Sequence, residues 1–179
     1  GDDIAKSVMV DGGEVQKQEK TGANFGTTVF VENLFYNLPA RRKFLKTVTT
    51  EARYINETIT KLALSRPDVK FTLKNNERLV IKTTGTGELV DCIQALYGRE
   101  VAENLLTVDL QAAGININGF VSRPSFTKSS RVLQLAFVNQ RSISSKLVYR
   151  AIDAAYQSKI ARGTHPFALL NIEIDTEKV

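Results

Sequence analysis

Apolar residues in this chain change period along its length, and that change restricts it to a mixed fold. Val69, Phe71 and Leu73 alternate, as do Leu79 and Ile81 beyond the polar pair Asn75-Asn76, which is the pattern of a hairpin. Between Glu51 and Arg66 the spacing becomes helical, with Ile55, Ile59, Leu62 and Ala63 on one stripe, Glu51 in the first turn and Pro67 as the stop. Leu89, Cys92, Ile93, Leu96 and Tyr97 give a second helical face that ends at Gly98. Strands are predicted at residues 105–110, 115–121 and 131–138, with a turn at 111–114 and a basic, flexible loop at 122–130. A last helix, capped by Ser144 or Ser145 and ended by Gly163, would bury Leu147, Val148, Ala151, Ile152 and Ala155. Lys146, Arg150, Asp153 and Gln157 would lie opposite, ahead of a final strand at 167–174. Upstream, Gly12-Gly13 marks a turn between two short strands, residues 26–31 read as a β-branched strand, and Asn37-Leu38-Pro39 as a turn or helix start. The class is α+β, without internal repeats.

Charge is segregated. Residues 41–66 carry +5 and residues 122–164 carry +7, whereas 1–40, 67–121 and 165–179 carry −3, −2 and −2. Two basic stretches separated by acidic ones point to a polyanionic partner, nucleic acid first, against chance clustering on unrelated faces. No apolar run approaches the roughly 18 residues of a membrane span. The start, GDDIAKSVMV, has neither a basic nor an apolar segment of the signal-peptide kind. A single cysteine, Cys92, excludes an internal disulfide and a cysteine-based zinc site, and it reads as core filling. These features suggest an intracellular protein.

Little in the chain suggests catalysis. His165 is the only histidine, and before Pro166 it reads as a loop or strand-edge residue rather than a general base. There is no Walker loop, no GxGxxG and no framed carboxylate pair, so neither catalytic nor metal residues are assigned. Two cationic groups stand out. Arg41, Arg42, Lys43 and Lys46 crowd into six residues with Phe44 and Leu45 as possible anchors, suited to phosphate, an acidic neighbour or plain solvation. Arg141, Lys146 and Arg150 join a loop cation to two on one helix face, a stripe able to follow a phosphate backbone or simply to be solvated. Gly26-Thr27 could set a backbone and a hydroxyl against a ligand, or merely start a strand.

The run GTTVFVENLFYNLPARRKFLK at residues 26–46 closely resembles the GTxVxVxxLFxNxPARRKFL signature of MutL, the DNA mismatch-repair ATPases of the GHKL superfamily. The resemblance continues through FVNQR at 137–141, the helix at 146–159, HPF at 165–167 and LLNIEID at 169–175, and so spans essentially the whole chain. Gln140 departs from it, since many members have glycine there.

The resemblance implies an internal fragment. The segments with the catalytic glutamate, the magnesium-binding asparagine, DxGxG and the GFRGEAL lid do not occur in this sequence, nor does the later VNVHPxK lysine. Residues 1–47 would be the end of a GHKL ATPase domain, and 48–179 a transducer domain with the fold of the second domain of a small-subunit ribosomal protein. Thr27 matches a threonine of the nucleotide pocket. Arg141, Lys146 and Arg150 fall on a DNA-facing surface, and Arg41, Arg42, Lys43 and Lys46 near the domain junction, in interdomain coupling or DNA contact. ATP and Mg would serve the parent protein, a homodimer acting with DNA, the mismatch-recognition protein MutS and other repair factors. The expected location is cytoplasmic and nucleoid-associated in a bacterium, away from membranes. The chain alone would not hydrolyse ATP. The rivals are a purely structural coupling or docking module, and a transducer of another GHKL branch such as a type II topoisomerase, which PARRKFL argues against.

Overall fold

The computed structural model describes residues 4–175. Two compact units divide the chain, Gly1–Glu51 and Ala52–Val179. In the first, β1 (Ala5–Asp11) and β2 (Glu14–Thr21) form an antiparallel hairpin around Gly12 and Gly13, both at positive φ (61° and 98°), as the glycine pair predicts. The strand expected at 26–31 does not form. Val29, Phe30 and Val31 are 76%, 87% and 69% exposed and join no ladder. β-Branched residues favour an extended backbone, but a strand also needs a neighbour for its N–H and C=O groups, and the described residues provide none here. The Tyr36 hydroxyl donates to Asp11 (2.5 Å), tying the following turn back to the hairpin. Pro39 then opens a single helical turn, α1 (Pro39–Arg42).

Helix α2 (Val48–Ser65) starts where Thr47 Oγ1 accepts from the Thr50 N–H (3.3 Å), and it stops before Pro67. Its buried residues are Ala63 and Leu64, while Ile55 and Leu62 are about half exposed, so the expected stripe is displaced towards the C-terminal turn. Next come the hairpin β3 (Thr72–Asn75) and β4 (Arg78–Lys82), then α3 (Leu89–Tyr97) and α4 (Arg99–Glu103), with Gly98 at φ 90° between the two helices.

The second unit is organised by a five-stranded sheet. β5 (Leu105–Ala112) and β6 (Ile115–Ser122) form a hairpin, as predicted. The expected strand at 131–138 is shorter: residues 131–133 coil into a 3-10 turn before β8 (Gln134–Val138). The expected loop at 122–130 is partly ordered, because β7 (Thr127–Lys128) pairs with β10 (His165–Pro166). Ser122 is buried there, its hydroxyl donating to Phe126 O (2.7 Å) and accepting from Phe167 N (3.1 Å). β9 (Arg141–Ile143) forms the outer edge beside β8. β11 (Ala168–Ile174) lies in the middle, antiparallel to β6 and parallel to β8, giving the order β5-β6-β11-β8-β9.

Alternation along β11 separates the two faces of this sheet. Leu169 faces a core with Phe137, Ala63 and Leu64 of α2, and Cys92 and Ile93 of α3. Ala168 and Leu170 face the other way, against α5 (Lys146–Tyr156). Val148 and Ile152 of that helix pack inward as expected and Tyr156 joins them, whereas Leu147, Ala151 and Ala155, also expected inside, are exposed. The helix also ends at Tyr156 rather than near Gly163, with Gln157 already extended (ψ 134°). The Tyr156 hydroxyl donates to Ser122 O beneath the helix, which fixes the stripe that faces the sheet.

Candidate nucleic-acid interface

The β8–β9 turn sets up the first of the expected contacts. Asn139 and Gln140 both have positive φ (46° and 66°), the geometry of a two-residue hairpin turn. Asparagine tolerates that region, and its side chain is put to use. Asn139 Nδ2 donates to Ile174 O (3.0 Å), Oδ1 accepts from Ile174 N (3.1 Å), and the Asn139 N–H donates to Ile172 O (3.0 Å). The amide thus extends the β11 ladder by one residue and holds the turn in register. Gln140 is the second residue of the turn, so it carries the left-handed strain that a glycine would not.

Arg141 follows at once. It pairs with Val138, which pairs with Ile172, placing Arg141 on the sheet face that carries α5. Lys146 and Arg150 are exposed one helical turn apart on α5. Ser145 precedes the helix without a side-chain cap bond, and Ser144 Oγ lies 3.3 Å from the Tyr149 hydroxyl, bracing the β9–α5 connection. The three cations singled out in the sequence therefore share one side of the sheet. Asp153, on the same helix stripe, is held by Arg131 through two bonds (3.0 and 2.8 Å).

Sequence reasoning passed over Lys61. It lines a groove of about 350 Å³ between α2 and the β8–β9 turn, with Thr58, Ser65, Phe137, Gln140, Ser142 and Arg141 itself, so Arg141 borders the α2 side as well. Only its place in the basic block 41–66 could have flagged it.

Arg41, Arg42, Lys43 and Lys46 belong to the other unit and are all exposed. Arg41 lies 6.0 Å from the Phe35 ring centroid, and the Lys46 N–H donates to Glu51 (2.7 Å). Phe44 is 77% exposed and anchors nothing among the described residues. Thr27 is exposed in the segment without a ladder. Cys92 is core, as read: its thiol lies 3.3 Å from Ala63 O, and burial pushes its pKa to about 11, far from a nucleophile's range. His165 sits at a strand edge beside Lys128, half-buried, its Nδ1 without a partner. The described residues hold no cluster of three His, Cys, Asp or Glu side chains able to bind a metal. No helix among them is long and apolar enough to cross a membrane.

Residues 93–179 match the family described as the C-terminal domain of DNA mismatch repair protein. The DNA mismatch repair protein MutL of Halothermothrix orenii is 39% identical over 171 residues, 96% of this chain and 27% of that protein. The chain is similar to MutL along almost its whole length. The MutL of Agathobacter rectalis is 40% identical over 162 residues, covering 90% of this chain and 25% of its own length. A solved structure described as the Aquifex aeolicus MutL ATPase domain complexed with ADP superposes with a TM-score of 0.72 at 30% identity, over 97% of this chain and 63% of that one. The chain thus spans about a quarter of the MutL relatives it matches.

Proposed function

We propose that this chain couples nucleotide state to DNA and repair-partner binding within a MutL-type mismatch repair protein. Residues 1–47 would close a GHKL nucleotide pocket, with Thr27 contributing its hydroxyl, and 48–179 would form the transducer. ATP and Mg would act in the parent protein. ATP binding would draw two protomers together and align their basic faces around DNA, and hydrolysis would release them, with MutS and other factors reading the closed state. Arg141, Lys146 and Arg150 are the residues assigned to phosphate contact.

One observation carries the reading: the register of β9 and the orientation of α5 put all three cations on one side of the sheet. They come from a segment with eight Lys/Arg and one carboxylate. Arg41, Arg42, Lys43 and Lys46 are assigned to interdomain coupling or to a second DNA contact. Fluorescence anisotropy with a labelled duplex between about 25 and 200 mM salt tests this, because each neutralised phosphate steepens the salt dependence. Weak binding with a steep slope, lost in Lys146→Glu/Arg150→Glu, is expected. Binding unchanged in that variant moves the contact to Arg41, Arg42, Lys43 and Lys46. No ATP turnover is expected from the chain alone, and magnesium-dependent hydrolysis by the pure protein would contradict that.

A docking module is the second reading. Leu147, 78% exposed on α5 beside Lys146, favours it. Absence of salt-dependent DNA binding would select it.

A further inference from the structure

The DNA-facing face proposed for α5 contains a flaw that the structure corrects. Asp153 follows Lys146 and Arg150 at helical spacing, and it is the one carboxylate in residues 122–164. Left free, it would present a negative charge to a phosphate backbone beside the two cations meant to hold it. It is not left free. Arg131, in the 3-10 turn before β8, donates from Nη1 to Asp153 Oδ1 (3.0 Å) and from Nη2 to Oδ2 (2.8 Å). The fork is the bidentate geometry in which guanidinium and carboxylate match. Nη1 also lies 3.4 Å from Gln134 Oε1, and the guanidinium stands 6.0 Å from the centroid of Tyr149, one turn before Asp153 on the same helix. Carboxylate, amide and ring thus all lie close to the guanidinium, and Arg131 and Asp153 remain about two-fifths exposed.

We propose that Arg131 is a charge mask: it neutralises Asp153 so that α5 meets a polyanion with a uniformly positive face. Arg131 itself then touches no phosphate. It differs in kind from Arg141, Lys146 and Arg150, although it belongs to the same basic segment. The inference rests on the reading of α5 as a DNA-facing helix. It also separates cleanly from a merely structural role, because an exposed pair of this kind contributes little to stability.

The test uses anisotropy of a labelled duplex at about 25 mM salt, with the 179-residue chain and four variants. Arg131→Gln uncovers Asp153 and is expected to bind about fivefold more weakly, an effect that fades towards 200 mM as screening shortens the reach of the charge. Asp153→Asn frees the arginine and is expected to bind more tightly than wild type. Arg131→Gln/Asp153→Asn is expected to return to wild-type affinity. Weakening that persists in the double variant would mean that Arg131 contacts phosphate, and the mask would be wrong. Weakening by Asp153→Asn would mean that the pair positions the helix rather than hiding a charge, and would also overturn it. So would wild-type binding by Arg131→Gln. Lys146→Glu/Arg150→Glu, run alongside, reports on the underlying reading: unchanged binding there removes α5 from the interface and the mask with it. Thermal unfolding of every variant shows that the affinities compare folded proteins.

Discussion

The two units of this chain use the same amino acids to different ends. In Ala52–Val179 a sheet is covered on one face by α2, α3 and α4 and on the other by α5, and Leu64, Ile93, Phe137, Phe167 and Leu169 are all at most 1% exposed. In Gly1–Glu51 no described residue is buried, and a two-stranded ribbon shows Val8, Met9, Val10 and Val15 to solvent. A lone hairpin of this kind is marginal in water. The comparison teaches that strand propensity and strand stability are separate quantities. Residues 27–31 have the first without the second, whereas β11, with Asn171 and Glu173 among its seven residues, has neighbours on both sides and is secure.

The largest effects should therefore fall in the second unit. Gly119 has φ 138°, and a Cβ there would come within 2.1 Å of Leu169 O in the adjacent strand. Gly119→Ala should destabilise by about 3 kcal/mol or more, read as the urea midpoint, since backbone would have to move. Phe167→Ala empties a fully buried site edge-on to Tyr97 and should lose about 3–5 kcal/mol. Val10→Ala in the ribbon should shift the same midpoint by less than about 0.5 kcal/mol. Equal losses from Phe167→Ala and Val10→Ala would end the distinction between the units.

Smaller changes sharpen it. Asn139→Ala removes both amide bonds to Ile174 and should lose about 1–2 kcal/mol, while Gln140→Gly should gain about 0.5–1 kcal/mol by relieving the positive φ. Either result is read from denaturant unfolding. An alkaline titration gives the smallest signal. Burial raises the Cys92 thiol to about 11 and the Tyr97 hydroxyl to about 12. A raised folded-state pKa gives stability that is whole below the unfolded value and drains away as pH climbs through the folded one. The urea midpoint should fall between about pH 9 and 12, and less steeply in Cys92→Ala.

Much of the second unit was legible because its signals are local. The β3–β4 turn is Asn76-Glu77, one residue beyond the predicted Asn75-Asn76, Gly98 follows α3, and the turn predicted at 111–114 holds the observed one at Ala113 and Gly114. The errors arose where a partner distant in sequence decides. On α5, Leu147-Ala151-Ala155 and Val148-Ile152-Tyr156 have the same period, so spacing alone could not choose between adjacent stripes; the Tyr156 bond to Ser122 does. The β7–β10 pairing is two residues long and joins segments 37 positions apart, too brief and too remote to leave a pattern. Of the proposed interface, the cations could be read from charge. Their common side of the sheet, and the tie between Arg131 and Asp153, required the register and the fold.

The place of β11 also bears on how such a chain is made. It comes after both of its neighbours in the sequence, yet it separates them in the sheet: Leu170 lies between Gly119 and Ala136. The β5–β6 and β8–β9 hairpins are short-range and can form as they leave the ribosome, but each presents an open edge until the strand between them is synthesised. For that interval the nascent domain is two ribbons awaiting a spacer. Slow translation between Ser122 and Ala168 would prolong it, and a chaperone that shields extended edges would be of most use in that window.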